Sequence, residues 1–167
     1  MTDRIKKLAE KYSSVIMGAR EYFHANPGIE FQEFETTKKI IEILEEHGIE
    51  YQKDIAVTGI LAIVRGKKEG KTVLLRGDMD ALPIEEEADV PYKSKVKGVM
   101  HACGHDSHAA GLLGAALILN ELKDEITGNI KFAFQPAEEN QGGAKPMIDA
   151  GILENPKVDA AFGLHVW

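Results

Sequence analysis

A run of small apolar residues, opened by a knot of ligand-type side chains, most restricts the folds available to this chain. The segment Ala109-Ala110-Gly111-Leu112-Leu113-Gly114-Ala115-Ala116-Leu117 carries no charge and lies in a predicted helix over residues 107–123. Its small residues on one side suit close approach to a sheet. The uninterrupted apolar run is only about a dozen residues, short of the roughly 18 needed to span a bilayer, so a protein core is the better home for it. Directly before it, residues 99–108 hold three of the six histidines and the only cysteine. Packing alone is a poor explanation for so many metal-ligand side chains at the mouth of a buried helix.

The rest of the chain alternates helical and strand periods. Ile5, Leu8, Tyr12, Val15, Ile16, Ala19 and Phe23 keep helical spacing from Arg4 to about His24, and Asn26-Pro27-Gly28 ends the run. A second helix is predicted over residues 35–47, with Ile40, Ile41 and Leu44 inward and Gly48 as its cap. Strands are predicted over residues 49–53, 59–64, 72–76 and 129–135, with a turn over 66–70. A last, buried strand over 158–166 carries His165. Residues 81–97, with two prolines and three consecutive glutamates, read as an irregular crossover holding at most one edge strand. Residues 142–150 can form a short helix. The alternation predicts an α/β sandwich around a sheet that is at least partly parallel. No repeat, low-complexity tract or interdomain linker interrupts it.

At 167 residues there is room for one domain with a substantial core. Acidic residues outnumber basic ones, 27 to 20, and the pI is near 5.4. Such a surface does not suit a phosphate backbone, so no nucleic-acid partner is expected. No stretch is long and apolar enough for a membrane partner, and the charged N-terminal residues lack a signal-peptide core. A single cysteine makes no internal disulfide. A cytoplasmic location is therefore expected, with the thiol available for metal or for chemistry.

In open α/β sheets, ligands bind just beyond the carboxyl ends of the strands. Strand 72–76 would deliver Asp78 and Asp80 there, strand 129–135 Glu138 and Glu139, and the last strand His165. The helix, beginning at Asp106 or Ser107, would bring Cys103, His105 and His108 to the same edge. Cys103 sits before a helix N-terminus, where the dipole favours thiolate, and is expected to be functional rather than a small buried hydrophobe. His105, two residues on across a glycine, is the strongest histidine candidate. His101 and His108 stay open between supporting a ligand from behind and facing substrate, and His47 is read as structural.

Glu45-Glu46 and Glu85-Glu86-Glu87 are expected to be solvated. Glu138-Glu139 differs, because it follows an apolar strand and Pro136, where two carboxylates are costly without a cation. One can bind the ion while the other moves protons. Asp78 and Asp80 alternate on an extended segment and should face opposite ways, one of them orienting a metal-bound histidine. Mixed sulfur, nitrogen and carboxylate donors suit zinc, or manganese, cobalt and nickel with less preference for sulfur. A metal-assisted hydrolase follows from the residues.

Four motifs carry a family resemblance and, together with a weaker fifth near the N-terminus, run in order across nearly the whole chain. They are Leu75-Arg76-Gly77-Asp78-Met79-Asp80-Ala81-Leu82-Pro83-Ile84, Met100-His101-Ala102-Cys103-Gly104-His105-Asp106-Ser107-His108, Phe134-Gln135-Pro136-Ala137-Glu138-Glu139 and Gly163-Leu164-His165-Val166. A weaker N-terminal motif comprises Arg20, His24, Pro27, Glu33 and Thr36. The set resembles the di-metal N-acyl-amino-acid amidohydrolases, which include hippurate hydrolases, N-acetyldiaminopimelate deacetylases and indoleacetyl-amino-acid hydrolases. The resemblance implies a zinc-peptidase-type α/β/α sandwich and two divalent metal ions, zinc or manganese first, with cobalt or nickel as alternatives. It implies metal ligands at Cys103, His105, Glu139 and His165, Glu138 as general base and acid, and Asp80 supporting the site from behind.

The implied substrate is a small N-acyl amino acid, and the full-length form is expected to be a homo-oligomer. Gly28 stands where the family usually has glutamate, for which a local effect is expected. Family members continue into a lid and dimerisation domain, then a C-terminal catalytic segment with one more histidine ligand. Residues 1–167 thus resemble the N-terminal portion of the catalytic domain, and impaired turnover is expected of that portion alone. Two rivals are a non-catalytic metal-binding or interaction module of the same fold and, ranked lower, a cysteine hydrolase using Cys103.

Overall fold

The computed structural model describes residues 2–166. Both N-terminal amphipathic stripes form helices, α1 (Thr2–Ala25) and α2 (Phe34–Glu46). The first buries Tyr12, Ala19 and Phe23, and the second buries Ile40, Ile43 and Leu44. Ile41, expected inward, is only half-buried. Ile40, Ile43 and Leu44 occupy i, i+3 and i+4, which leaves Ile41 at the margin of the stripe.

Beyond them run β1 (Glu50–Ile55), β2 (Gly59–Arg65), β3 (Lys68–Asp78), α3 (His105–Glu121), β4 (Thr127–Gln135), α4 (Ala144–Asp149) and β5 (Ala160–Gly163). The five strands form one sheet in the order β1-β2-β4-β3-β5. β1 with β2 and β2 with β4 are antiparallel, while β4 with β3 and β3 with β5 are parallel. The sheet is mixed and partly parallel, as the alternation of periods predicts.

Strand alternation divides the core in two. Ile60, Ala62, Val64, Phe132 and Phe134 meet the layer of α1, α2 and α3 on one face. Leu61, Leu74 and Ala133 point to the other, where they cluster with Ile55, Met147 of the short α4 and Ile152, with Leu153 and Val158 packed alongside. Lys131 also points that way and is buried, its Nζ donating to the carbonyls of Ile152 at 2.9 Å and Glu154 at 2.6 Å.

The small residues of α3 serve more than the sheet. A Cβ on Gly114 would stand 2.6 Å from Ile16 Cδ1, so this glycine lets α1 press against α3. Residues 81–97 form no strand, only a single bridge between Leu82 and Met100. β3 begins at Lys68 and absorbs most of the expected turn.

The largest departure is at the last strand. β5 spans four residues, all exposed, and His165 follows it instead of lying within it. Among the described residues it pairs with β3 alone, at the edge of the sheet, and its apolar residues are exposed there.

Candidate metal centre

Strand register gathers the chemistry at one edge. Asp78 pairs with Gln135 and Arg76 with Gly163, so parallel β3, β4 and β5 end together. The chain then returns to that edge through Gly104, the residue preceding α3. Gly104 has a φ of +88°, and a Cβ there would meet Val166 Cγ2 at 2.5 Å. Glycine satisfies both constraints, and with it in the cap position α3 begins at His105, earlier than the expected Asp106 or Ser107.

His105 is fully buried. Its Nδ1 donates to Asp80 Oδ1 at 3.1 Å, which leaves the lone pair on Nε2. Neither His105 Nε2 nor Glu139 Oε1 has a hydrogen-bond partner among the described residues, although both atoms are buried and they lie 3.7 Å apart. Leaving such groups unsatisfied costs about 1–3 kcal/mol each. Cys103 Sγ is 3.4 Å from His165 Nε2, and His165 Nδ1 is turned to the Val166 carbonyl.

Three donor sets each fall within 4.8 Å: Cys103 with His105 and His165, His105 with Glu138 and Glu139, and Asp78 with His105 and His108. His105 is common to all three. A divalent cation between the sulfur, imidazole and carboxylate donors would satisfy both orphaned atoms, so the residues present fit a metal ion. Glu138 is exposed at the mouth, while Glu139 is half-buried and turned inward.

Asp78 and Asp80 do not face opposite ways. β3 ends at Asp78, so the period-2 alternation no longer governs Asp80, and both carboxylates turn to histidines of α3. His108 Nδ1 donates to Asp78 Oδ1 at 2.6 Å, and its Nε2 accepts the Val166 N–H at 3.0 Å. Its ring stands edge-on to His165 with centroids 4.7 Å apart. His108 therefore ties the end of β3 to the segment that bears His165, and Arg76 holds the other side of Asp78. His101 is buried outside the donor sets, neither ring nitrogen is hydrogen-bonded among the described residues, and burial pushes its pKa down to about 4.

Burial works to raise the Asp80 pKa, but His105 and the N–H groups of Glu139 and Glu138 outweigh it and hold the carboxyl below its usual value. For His105, burial works downward, yet the bond to Asp80 and the charges of Asp78, Asp80 and Glu139 raise it. Burial, then Glu139, and the charges of Asp78 and Glu138 push the Cys103 thiol up to about 11. Without a cation these carboxylates therefore oppose the thiolate that a position before the helix favours, and Gly104 itself occupies the cap. A thiol held protonated is a poor nucleophile, but a divalent cation can displace its proton.

Residues 74–167 match the model of Peptidase family M20/M25/M40. The chain belongs to that family. It is 47% identical over 169 residues to thermostable carboxypeptidase 2 of Saccharolobus solfataricus, covering 99% of this chain and 42% of the relative. It is likewise 47% identical over 150 residues to N-acetyl-L-cysteine deacetylase of Bacillus subtilis, covering 90% of this chain and 36% of the relative. The structure of the Bacillus subtilis YXEP protein, a dinuclear metal-binding peptidase from the M20 family, superposes with a TM-score of 0.89 at 42% identity, over 95% of this chain and 44% of that one. The chain spans about two fifths of the length of these proteins.

Behind the donor sets, this M20/M25/M40 chain carries a polar cluster that sequence reasoning missed. His24 Nδ1 faces Asp106 Oδ2 at 2.7 Å and its Nε2 faces Glu86 Oε1 at 2.9 Å, while Arg20 Nε reaches Asp106 Oδ2 at 2.9 Å. Glu86 also accepts the Ser94 N–H at 2.6 Å and is 4% exposed, contrary to the expectation that all three consecutive glutamates are solvated. The irregular crossover folds over it, a tertiary effect with no local period. Two signals pointed to part of it, the weaker N-terminal motif that contains Arg20 and His24 and their spacing of one helical turn, but neither named Asp106 or Glu86 as partners. His47 is structural as expected, its Nδ1 donating to the Ile43 carbonyl at 2.9 Å. Among the described residues, no helix is long and apolar enough to cross a membrane.

Proposed function

We propose that residues 1–167 are the N-terminal portion of the catalytic domain of a metal-dependent amidohydrolase acting on the amide bond of N-acyl amino acids. Cys103, His105, Glu139 and His165 hold two divalent ions, with zinc or manganese the best matches to the donors and cobalt or nickel as substitutes. The observation that carries this reading is a pair of buried atoms with no hydrogen-bond partner among the described residues, His105 Nε2 and Glu139 Oε1, 3.7 Å apart. The relatives' names support the reaction class, since a carboxypeptidase and a deacetylase of an N-acetyl amino acid both cleave an amide to an amino acid.

When bound, the ions polarise the amide carbonyl and acidify water. Glu138, exposed at the mouth, takes a proton from the attacking water and delivers it to the leaving amine. Asp80 keeps His105 in the tautomer that turns Nε2 toward the site. Asp78 and His108 steady the segment bearing His165. A lid and dimerisation domain, a C-terminal segment with a further ligand and a homo-oligomeric state complete the full-length enzyme, with the cytoplasm as its compartment. This portion alone turns over poorly.

A graft tests the proposal: residues 1–167 replace the matching 36% of the Bacillus subtilis N-acetyl-L-cysteine deacetylase. The graft is expected to hydrolyse N-acetyl amino acids in a chelator-sensitive way. Glu138→Gln should lower kcat about 100- to 10,000-fold at unchanged metal content. A folded, metal-loaded graft that hydrolyses no N-acyl amino acid would favour the non-catalytic module.

A further inference from the structure

Glu33 belongs to none of the donor sets, yet it is 0% exposed and makes no ion pair among the described residues. A carboxylate is costly to bury this way unless hydrogen bonds compensate. Its partners are all neutral donors. Oε1 accepts the N–H of Phe31 and the N–H of Ala137, each at 3.1 Å, and Oε2 accepts the Thr58 hydroxyl.

Ala137 is the residue directly before Glu138, and it holds a left-handed φ of +49°. For a residue with a Cβ this conformation costs of order 1–3 kcal/mol and persists only where the surroundings impose it. Here they do. The Ala137 carbonyl accepts the Gly143 N–H at 3.0 Å, and two residues further on the Glu139 N–H donates to Asp80 Oδ2 at 3.0 Å. Glu33 and Asp80 therefore grip alternate backbone N–H groups of one turn, with Glu138 between them.

We propose that Glu33 is a positioning residue: by holding the Ala137 N–H it fixes the left-handed turn that points Glu139 inward toward His105 and leaves Glu138 at the mouth. The proposal rests on the ligand assignment made above. It explains why a carboxylate is kept in the core without a cation, and why a strained alanine sits immediately before the two glutamates.

The test is calorimetric titration of the chain with cobalt(II), with circular dichroism of each variant and hydrogen exchange at the Ala137 amide. Glu33→Gln keeps an oxygen for Ala137 and offers its NH₂ to the Thr58 hydroxyl, so binding within about threefold of wild type is expected. Glu33→Asp, one methylene short, and Glu33→Ala should weaken cobalt about 10- to 100-fold and expose the Ala137 amide to exchange.

Wild-type affinity in folded Glu33→Asp and Glu33→Ala would overturn the proposal, and so would a Glu33→Gln loss as large as that of Glu33→Ala. If Glu33→Ala alone fails to fold, Glu33→Asp against Glu33→Gln decides. If neither Glu33→Ala nor Glu33→Asp folds, Glu33 is a folding residue only and the proposal fails. If wild type itself takes up no cobalt, the ligand assignment fails. Exchange at Ala137 in Glu33→Asp against Glu33→Gln then separately decides whether Glu33 holds the turn.

Discussion

His105 and Cys103 sit in the same acidic surroundings and respond to it in ways that pH can separate. The Cys103 thiol, pushed up to about 11 by burial and the nearby carboxylates, must lose its proton when a cation enters. Metal affinity should therefore rise at least about tenfold per pH unit through neutrality, and calorimetry in buffers of different ionisation enthalpy should report at least about one proton released per Cys103-bound ion. A pH-independent affinity would contradict the assignment.

The metal-free chain should show the opposite slope above pH 6.5. The His105 pKa is raised above its ordinary 6.5, so its stabilising contribution is full below that value and is lost as pH rises through the folded pKa. His101 is shifted the other way, from 6.5 to about 4 by burial, so its contribution is present above 6.5 and lost as pH falls toward 4. Urea midpoints of the metal-free chain should accordingly peak near pH 6.5. His105→Asn should flatten the alkaline limb and His101→Leu the acid limb. Limbs that both survive these substitutions would show that other groups set them.

At the scale of elements, the turn into α3 decides how the donor-bearing segments meet. Gly104 combines a φ of +88° with Val166 Cγ2 at 2.5 Å from where a Cβ would stand. Gly104→Ala should cost about 1–2 kcal/mol from the left-handed backbone alone and push the segment after β5 away from His108. Urea unfolding reads the first effect, and faster hydrogen exchange at Val166, whose N–H donates to His108, reads the second. An unchanged Val166 amide would show that the glycine serves only the turn.

Elements with strong periods, α1, α2, α3, β2 and β4, were readable in the sequence to within a few residues, because each buries a continuous stripe or alternating face. β5 was not. Phe162, Leu164 and Val166 have the composition of a core strand, but edge position is a property of the sheet and leaves no mark on local sequence. Asp80 was misjudged for a related reason, since alternation stops where β3 stops.

For the whole molecule, the parallel trio β4-β3-β5 is what turns scattered motifs into one site, by ending three strands at one edge. Cys103 and His105 were readable because they are neighbours in sequence. Glu33 was not weighed as a functional residue, because its role appears only through a contact with Ala137 across 104 residues of chain. The helix-covered face of the sheet is the structural foundation of this edge, and fully buried Phe132 is central to it. Phe132→Ala should cost about 3–5 kcal/mol in urea unfolding. Any fraction still folded should bind metal with nearly wild-type affinity, whereas a proportionate loss would tie the site to the core directly.

The central claim is that Cys103, His105, Glu139 and His165 hold divalent metal. Cobalt(II) titration of the metal-free chain, followed by absorption, tests it most directly. The predicted result is an intense near-ultraviolet thiolate-to-cobalt band that grows with metal, disappears in Cys103→Ser, and forms only at higher cobalt in Glu139→Gln. Saturation without that band, or a band unchanged in Cys103→Ser, would contradict the account.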